Sequence, residues 1–186
     1  MNGIEKKIWL ITFPRQVLWL FVVLNIASML LYTGSTYRDH LTMGYSFTEN
    51  FLSDLGRTLT FSGEINFLSS QLFNMSLVLA GGVFALFYLH VRKVFKSDKQ
   101  KILAFIGSFF GILGGISLAG VGLTPSDLYL DLHIICANWL FRFMFVASLF
   151  YTIVIFYHPT FNNKYSGGYL VFSITILIYI LISELG

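Results

Sequence analysis

Two short polar runs hold most of the residues able to do chemistry in this 186-residue chain. One is Asn50-Phe51-Leu52-Ser53-Asp54-Leu55-Gly56; the other runs from Thr124 through Pro125, Asp127 and Asp131 to His133. Asp54, Asp131 and His133, with His40, offer carboxylate and imidazole groups of the kind that hold a hydrolytic zinc through three protein ligands and one open position. Ser53, next to Asp54, offers a nucleophile for Asp–His acid–base chemistry. There is no H-E-x-x-H and no paired-histidine motif, and Cys136 is the single cysteine. No metal and no cofactor is therefore expected. The same groups also have a structural reading, in which they cap helix ends and bond one another across loops. Asn50, Ser53, Asn74, Asp127, Asn138 and Arg142 are the further candidates for binding a ligand.

What these residues face depends on where a helix begins. With a start at Pro125, Asp127, Asp131, Asn138 and Arg142 fall within about 60° of one another at 100° per residue, and His133 lies on another face. Thr124 as cap, Pro125 in the first turn and Asp127 near the positive dipole end suit that start. With a later start, Asp131 and His133 point the same way from an extended segment. The sequence fits both.

The elements that must position these groups are apolar helices. The chain is 56% hydrophobic and 11% charged, with a mean hydropathy of +0.74, far from the balance of a soluble domain. Five apolar blocks, at about residues 17–33, 67–90, 102–123, 132–157 and 169–183, read as membrane spans in an all-α bundle forming one domain over residues 1–186. Lys6, Lys7, Arg15, Arg92, Lys93, Lys96, Lys99, Lys101 and Lys164 fall in segments on one side of an alternating topology. Asp39, Glu49, Asp54, Glu64, Asp127, Asp131 and Glu184 fall on the other. Excess Lys and Arg in short loops marks the cytoplasmic face. The expectation is a multi-pass inner-membrane protein, N-terminus inside and C-terminus outside. The pI near 9.0 does not imply nucleic acid, because the basic residues sit where topology places them.

Several details refine this layout. The basic, aromatic start KKIWLITFPR suits a segment at the headgroup level, leading into a retained signal anchor rather than a cleaved leader. Residues 34–66 form the longest polar connection and keep five aromatics, so they are expected to be an ordered outer cap. Asn66, Ser70 and Asn74 recur every four residues, with Gly81 on the same face, and this stripe should point into the bundle. Gly107, Gly111 and Gly115 let another helix approach closely, either within this chain or from a partner membrane chain. Arg142 falls near the bilayer centre with no acid at matching depth, so an interior position and a partner such as Asn74, Asn138, Asn25, a carbonyl or a lipid phosphate are expected.

The combination of NFLSDLGRT, Leu72-Phe73-Asn74, Gly81-Gly82, a Gly-rich third span and Pro125, Asp127 and His133 opening the fourth resembles a bacterial and archaeal membrane family named domain of unknown function 998. It is more distantly similar to DRAM/Sfk-type membrane proteins. The resemblance covers roughly residues 15–160 and implies a helical membrane protein without an established reaction, typically with six helices, one more than is read here. The DRAM/Sfk likeness implies lipid handling. Matching positions are Asn50, Ser53, Asp54, Gly56, Asn74, Pro125, Asp127 and His133. The leading expectation is a lipid-binding or accessory subunit with membrane lipids as partners. The alternatives are a lipid-modifying hydrolase or transferase using Asp54, Asp131 and His133, and a small transporter favoured by Arg142.

The charge sorting makes a direct prediction. In a Cys136→Ser background, a cysteine placed at Thr48 should react with a membrane-impermeant maleimide added to intact cells, and one at Lys99 only after permeabilisation.

Overall fold

The computed structural model describes residues 2–185. Five long helices make up the chain: α1 (Gly3–Leu31), α2 (Phe67–Val91), α3 (Asp98–Leu123), α4 (Leu130–Phe156) and α5 (Asn163–Leu185). Each is long and apolar enough to cross a membrane. Even the 23 residues of α5 extend about 35 Å, against a hydrocarbon core of about 30 Å. The fold is all-helical and suits a multi-pass membrane protein. Four connections divide between two ends of the bundle. The long segment after α1 and the short turn after α3 share the cap end; the links after α2 and α4 share the basic end.

All the helices but α2 begin earlier than the apolar blocks suggest. Residues expected to lie at the headgroup level form the opening turns of α1. Pro14 has no N–H for the carbonyl one turn back. The helix absorbs this with a π turn over Ile8–Thr12, closed by the Phe13 N–H donating to the Ile8 carbonyl. Trp9 on this turn stacks on His90 at the end of α2, with ring centroids 4.8 Å apart and planes within 5°. At α3, Ser97 caps the helix through Gln100 N–H, which draws the charged residues Asp98 to Lys101 into its first turn.

Packing follows the chain: α1 lies on α2, α2 on α3, α3 on α4 and α4 on α5. Each junction has its own device, of a kind that works where lipid is as apolar as the protein. Between α1 and α2, Asn25 donates to Ser76 Oγ at 3.0 Å, and Ser28 Oγ donates to the Ser69 carbonyl at 2.9 Å. Between α3 and α4, the Ser108 and Tyr151 hydroxyls meet at 2.6 Å. Between α4 and α5, Ser173 Oγ donates to Ser148 Oγ at 2.7 Å, and Ser166 donates to the Thr152 carbonyl.

The α2–α3 junction is made by glycine. A Cβ on Gly81 would strike the Gly115 carbonyl, and one on Gly115 would lie 2.7 Å from the Gly81 carbonyl. Gly111 lies under the Tyr88 ring, and Gly107 faces Phe150 and Tyr151. The Gly107/Gly111/Gly115 face, read from sequence as a possible seat for a second membrane chain, is thus taken by α2 and α4 of the same chain. Each of those three glycines is buried by an intramolecular neighbour.

Gly81→Ala should therefore cost about 1–3 kcal/mol, because overpacking pushes two backbones apart. Gly82, one residue on, has open space where its Cβ would be. Gly82→Ala should leave stability within about 0.5 kcal/mol. Unfolding of the two variants in mixed detergent measures the difference.

Candidate functional site

The chemistry-bearing residues gather at the cap end, and backbone carbonyls explain most of their positions. Leu52–Gly56 forms a 3-10 turn that descends onto the start of α2. Carbonyls turned into a buried site need donors. Asn66 Nδ2 donates to the Leu55 and Arg57 carbonyls, at 3.1 and 2.9 Å. Ser69 Oγ donates to the Leu55 carbonyl, and Ser70 Oγ and Asn74 Nδ2 both donate to that of Gly56. The predicted polar stripe does point into the bundle, and its purpose is to hold this turn. Gly56 is required by the close approach: a Cβ there would lie 2.5 Å from Asn74 Oδ1 and 2.8 Å from the Phe73 ring.

Asp54 sits at the middle of the turn, 4% exposed. Its Oδ2 accepts from the Phe51 N–H at 2.9 Å and from Asn50 Nδ2 at 3.1 Å. Asn50 Nδ2 also donates to the Ser35 carbonyl, while its Oδ1 accepts from the Ser46 N–H. Burial raises the Asp54 pKa above the ordinary carboxylate value; the bonds from Asn50 and Phe51 and the nearby Arg57 and His133 offset this only in part. Desolvation, with Asp54 close by, also raises the Tyr45 pKa. Ser35 holds a left-handed backbone at φ 70°. That conformation is unfavourable for a residue with a Cβ. Three bonds fix it: Tyr32 Oη and Asn50 donate to its carbonyl, and its Oγ accepts from the Ser62 N–H.

Asp127 closes the cap from the other loop. Its carboxylate accepts from the backbone N–H groups of Thr58 and Leu59, at 3.0 Å each, and from the Thr58 hydroxyl. Partial burial opposes its charge, but these donors outweigh burial and hold its pKa below the ordinary value. Of the two helix starts that fit the sequence, this capture excludes the one at Pro125, and in the later one Asp131 and His133 lie within the helix rather than in an extended segment. Thr124 ends α3 instead, its Oγ1 donating back to the Gly120 carbonyl at 2.8 Å, and α4 opens only at Leu130.

With that start, Asp131 and His133 lie two residues apart in one helical turn, about 200° around the axis. His133 faces inward, 7% exposed. Its Nδ1 donates to the Thr124 carbonyl at 2.6 Å, since a carbonyl only accepts. Asp131 faces outward and is exposed. The structure thus brings Asn50, Asp54, Asn74 and Asp127 into one cap framework beside His133, and leaves Asp131 outside it. Ser53 is half-buried at the rim and His40 is exposed on the cap surface. Among the described residues, no three His, Cys, Asp or Glu side chains gather as a metal site.

Arg142 and Asn138 belong to another region. Asn138 is exposed, and Arg142 is half-exposed in the groove between α4 and α5 rather than buried in the bundle. Its Nη2 donates to Glu184 Oε1 at 2.6 Å, with Trp139 flanking the guanidinium at 5.7 Å. The acid partner that the sequence seemed to lack is supplied from the end of α5. The Phe141–Tyr179 and Ser148–Ser173 contacts set the α4–α5 register. In that register Glu184 stands about six residues, or ~9 Å, nearer the cap end. A long arginine side chain reaches across by extending toward the bilayer surface.

The family model described as protein of unknown function (DUF998) matches residues 25–185. The chain belongs to this family. No curated protein and no solved structure matches it. The match takes in the cap residues from Asn50 to Asn74 and Asp127, together with all of α2 to α5.

Asp54 and Asp127 respond to pH with opposite sign. The folded pKa of Asp127 is lowered, so its stabilisation is present above the free carboxyl value of about 3.9 and is lost as pH falls through the folded value. That of Asp54 is raised, so its contribution is largest when protonated and is lost as pH rises through the folded value. Asp54→Asn should therefore retain the cap at neutral pH, because an amide oxygen can accept the same two bonds. Asp127→Ala should loosen it by about 1–3 kcal/mol. Hydrogen exchange at Thr58 and Leu59, corrected for intrinsic rate, should rise in acid for the wild type and be raised already at neutral pH in Asp127→Ala.

Proposed function

We propose that the protein is a lipid-binding membrane protein of the cell's inner membrane, with its basic end in the cytoplasm, and that it holds a lipid acyl chain in a cleft between its first and last helices. One observation carries this reading. An apolar cleft of about 470 Å³ is bounded by Pro14 and Leu18 of α1, by Phe87 and Tyr88 of α2, by Leu140 and Met144 of α4, and by Tyr169, Phe172 and Ile176 of α5. Its volume lies in the range of small-molecule sites. α1 and α5 form no substantial interface with each other. At their two lips Leu18 and Phe172 remain 49% and 48% exposed, so the cleft opens sideways toward the bilayer. A predominantly apolar lining inside a membrane selects hydrocarbon, since a polar guest would lose its hydration and regain few hydrogen bonds.

The cap chemistry supports a binding role over a catalytic one. The bonds made by Asp54, Asp127 and His133 go to backbone groups, the Asn50 amide and the Thr58 hydroxyl, and they tie the two loops together. A hydrolase needs its acid and base within direct or one-water reach of the substrate, and Asp131 faces away from His133. Arg142 is tied to Glu184 between α4 and α5, beside a recess of only about 10 Å³, too small to pass a solute.

Leu140→Trp places an indole in the cleft. Lipid co-purified with this variant should fall by more than half relative to wild type, by native mass spectrometry in mild detergent, at an unchanged melting temperature. Equal lipid retention with a stable fold would refute acyl-chain binding at this cleft.

A further inference from the structure

At the basic end, a second recess of about 550 Å³ lies between the end of α2 and the start of α3. Arg92, Lys93, Lys96 and Lys101 surround it, and Ile102 and Phe105 form its apolar wall. We propose that this recess binds the anionic headgroup of a phospholipid, with the cations on the phosphate and the head of an acyl chain against Ile102 and Phe105. Topology requires only that cations lie at this end. It does not require four of them to ring one recess, or that recess to continue into exposed hydrocarbon.

Three observations point to a lipid rather than a free anion. Ile102 and Phe105 are 62% and 55% exposed, and they stand about 6 and 10 Å along α3 from its start at Asp98. A ligand filling the recess is therefore charged at one end and apolar at the other. The Arg92 guanidinium lies 5.5 Å from the centre of the Phe105 ring, so the charged and apolar parts of the wall adjoin. Asp98, the acid nearest in sequence, pairs with Lys101 at 3.3 Å. Arg92, Lys93 and Lys96 have no acidic partner among the described residues. Basic pockets of this kind at the ends of membrane helices suit phosphate headgroups.

The recess shares no lining residue with the cleft between α1 and α5, so the two sites stand or fall separately. The test uses the full chain in mild detergent, titrated with phosphatidylglycerol or phosphatidylcholine and read by native mass spectrometry. Detergent removes the concern that charge changes alter orientation in a membrane. Wild type should retain phosphatidylglycerol in preference to phosphatidylcholine. Arg92→Gln/Lys96→Gln should reduce that retention about tenfold or more, as expected for two cations near a phosphate. Lys93→Gln/Lys101→Gln, a second pair in the same recess, should do likewise. Lys6→Gln/Lys7→Gln, equal in charge but outside the recess, should not. Unchanged retention in both recess pairs overturns the proposal, as does an equal loss in the Lys6/Lys7 pair. Displacement of phosphatidylglycerol by millimolar inorganic phosphate would mark a free-anion site and overturn it too.

Discussion

The cap depends on one constraint: the carbonyls of Leu55, Gly56 and Arg57 enter a region where water cannot serve them. An unmet carbonyl there costs several times what an ordinary hydrogen bond contributes. The first two turns of α2 carry the remedy, with Asn66, Ser69, Ser70 and Asn74 donating to those three groups. Ser28 of α1 reaches the same place through Ser69. The first loop, α1 and α2 thus share one polar junction. Asp54 then organises the loop above it, and Asp127 ties in the second loop. Polar residues at this end are arranged as a framework, each answering a particular backbone group.

Much of this was legible in order of range. The five spans followed from hydropathy, and the inward face of Asn66, Ser70 and Asn74 from helical spacing. Asn50, Asp54 and Asp127 stood out by residue type, and Gly56 through the family resemblance. Their partners were not. Thr58 has no periodic signal, yet it decides where α4 begins, because its N–H and hydroxyl hold Asp127 outside the helix. Ser35 and Tyr32 act through contacts set by loop shape, which no local pattern reports. Arg142 shows the same limit. Counting residues placed its Cα at mid-span, but the length of its side chain and the register of α5 bring Glu184 within reach.

The two ends of the bundle differ in kind. The cap end is dense with hydrogen bonds that close on themselves. Toward the basic end, apolar walls enclose open volume beneath a rim of cations. Small residues set this contrast in the middle of the bundle. Gly81 and Gly115 draw α2 and α3 together until backbone meets backbone, whereas α1 and α5, carrying large side chains, stay apart and leave the cleft between them.

Packing in chain order has a consequence for biogenesis. A helix that rests mainly on the one synthesised before it does not wait for distant parts of the sequence. Contacts of this kind join helices adjacent in sequence, and the loop-closure cost rises only slowly with loop length even across the long first connection. α2 can seat its serines against α1, and fasten the cap turn, while α4 and α5 are still in the ribosome. The last turn of the cap, with Asp127, is locked only after α3 has crossed. The protein can thus be assembled as a series of completed hairpins, with α5 the final piece laid along α4.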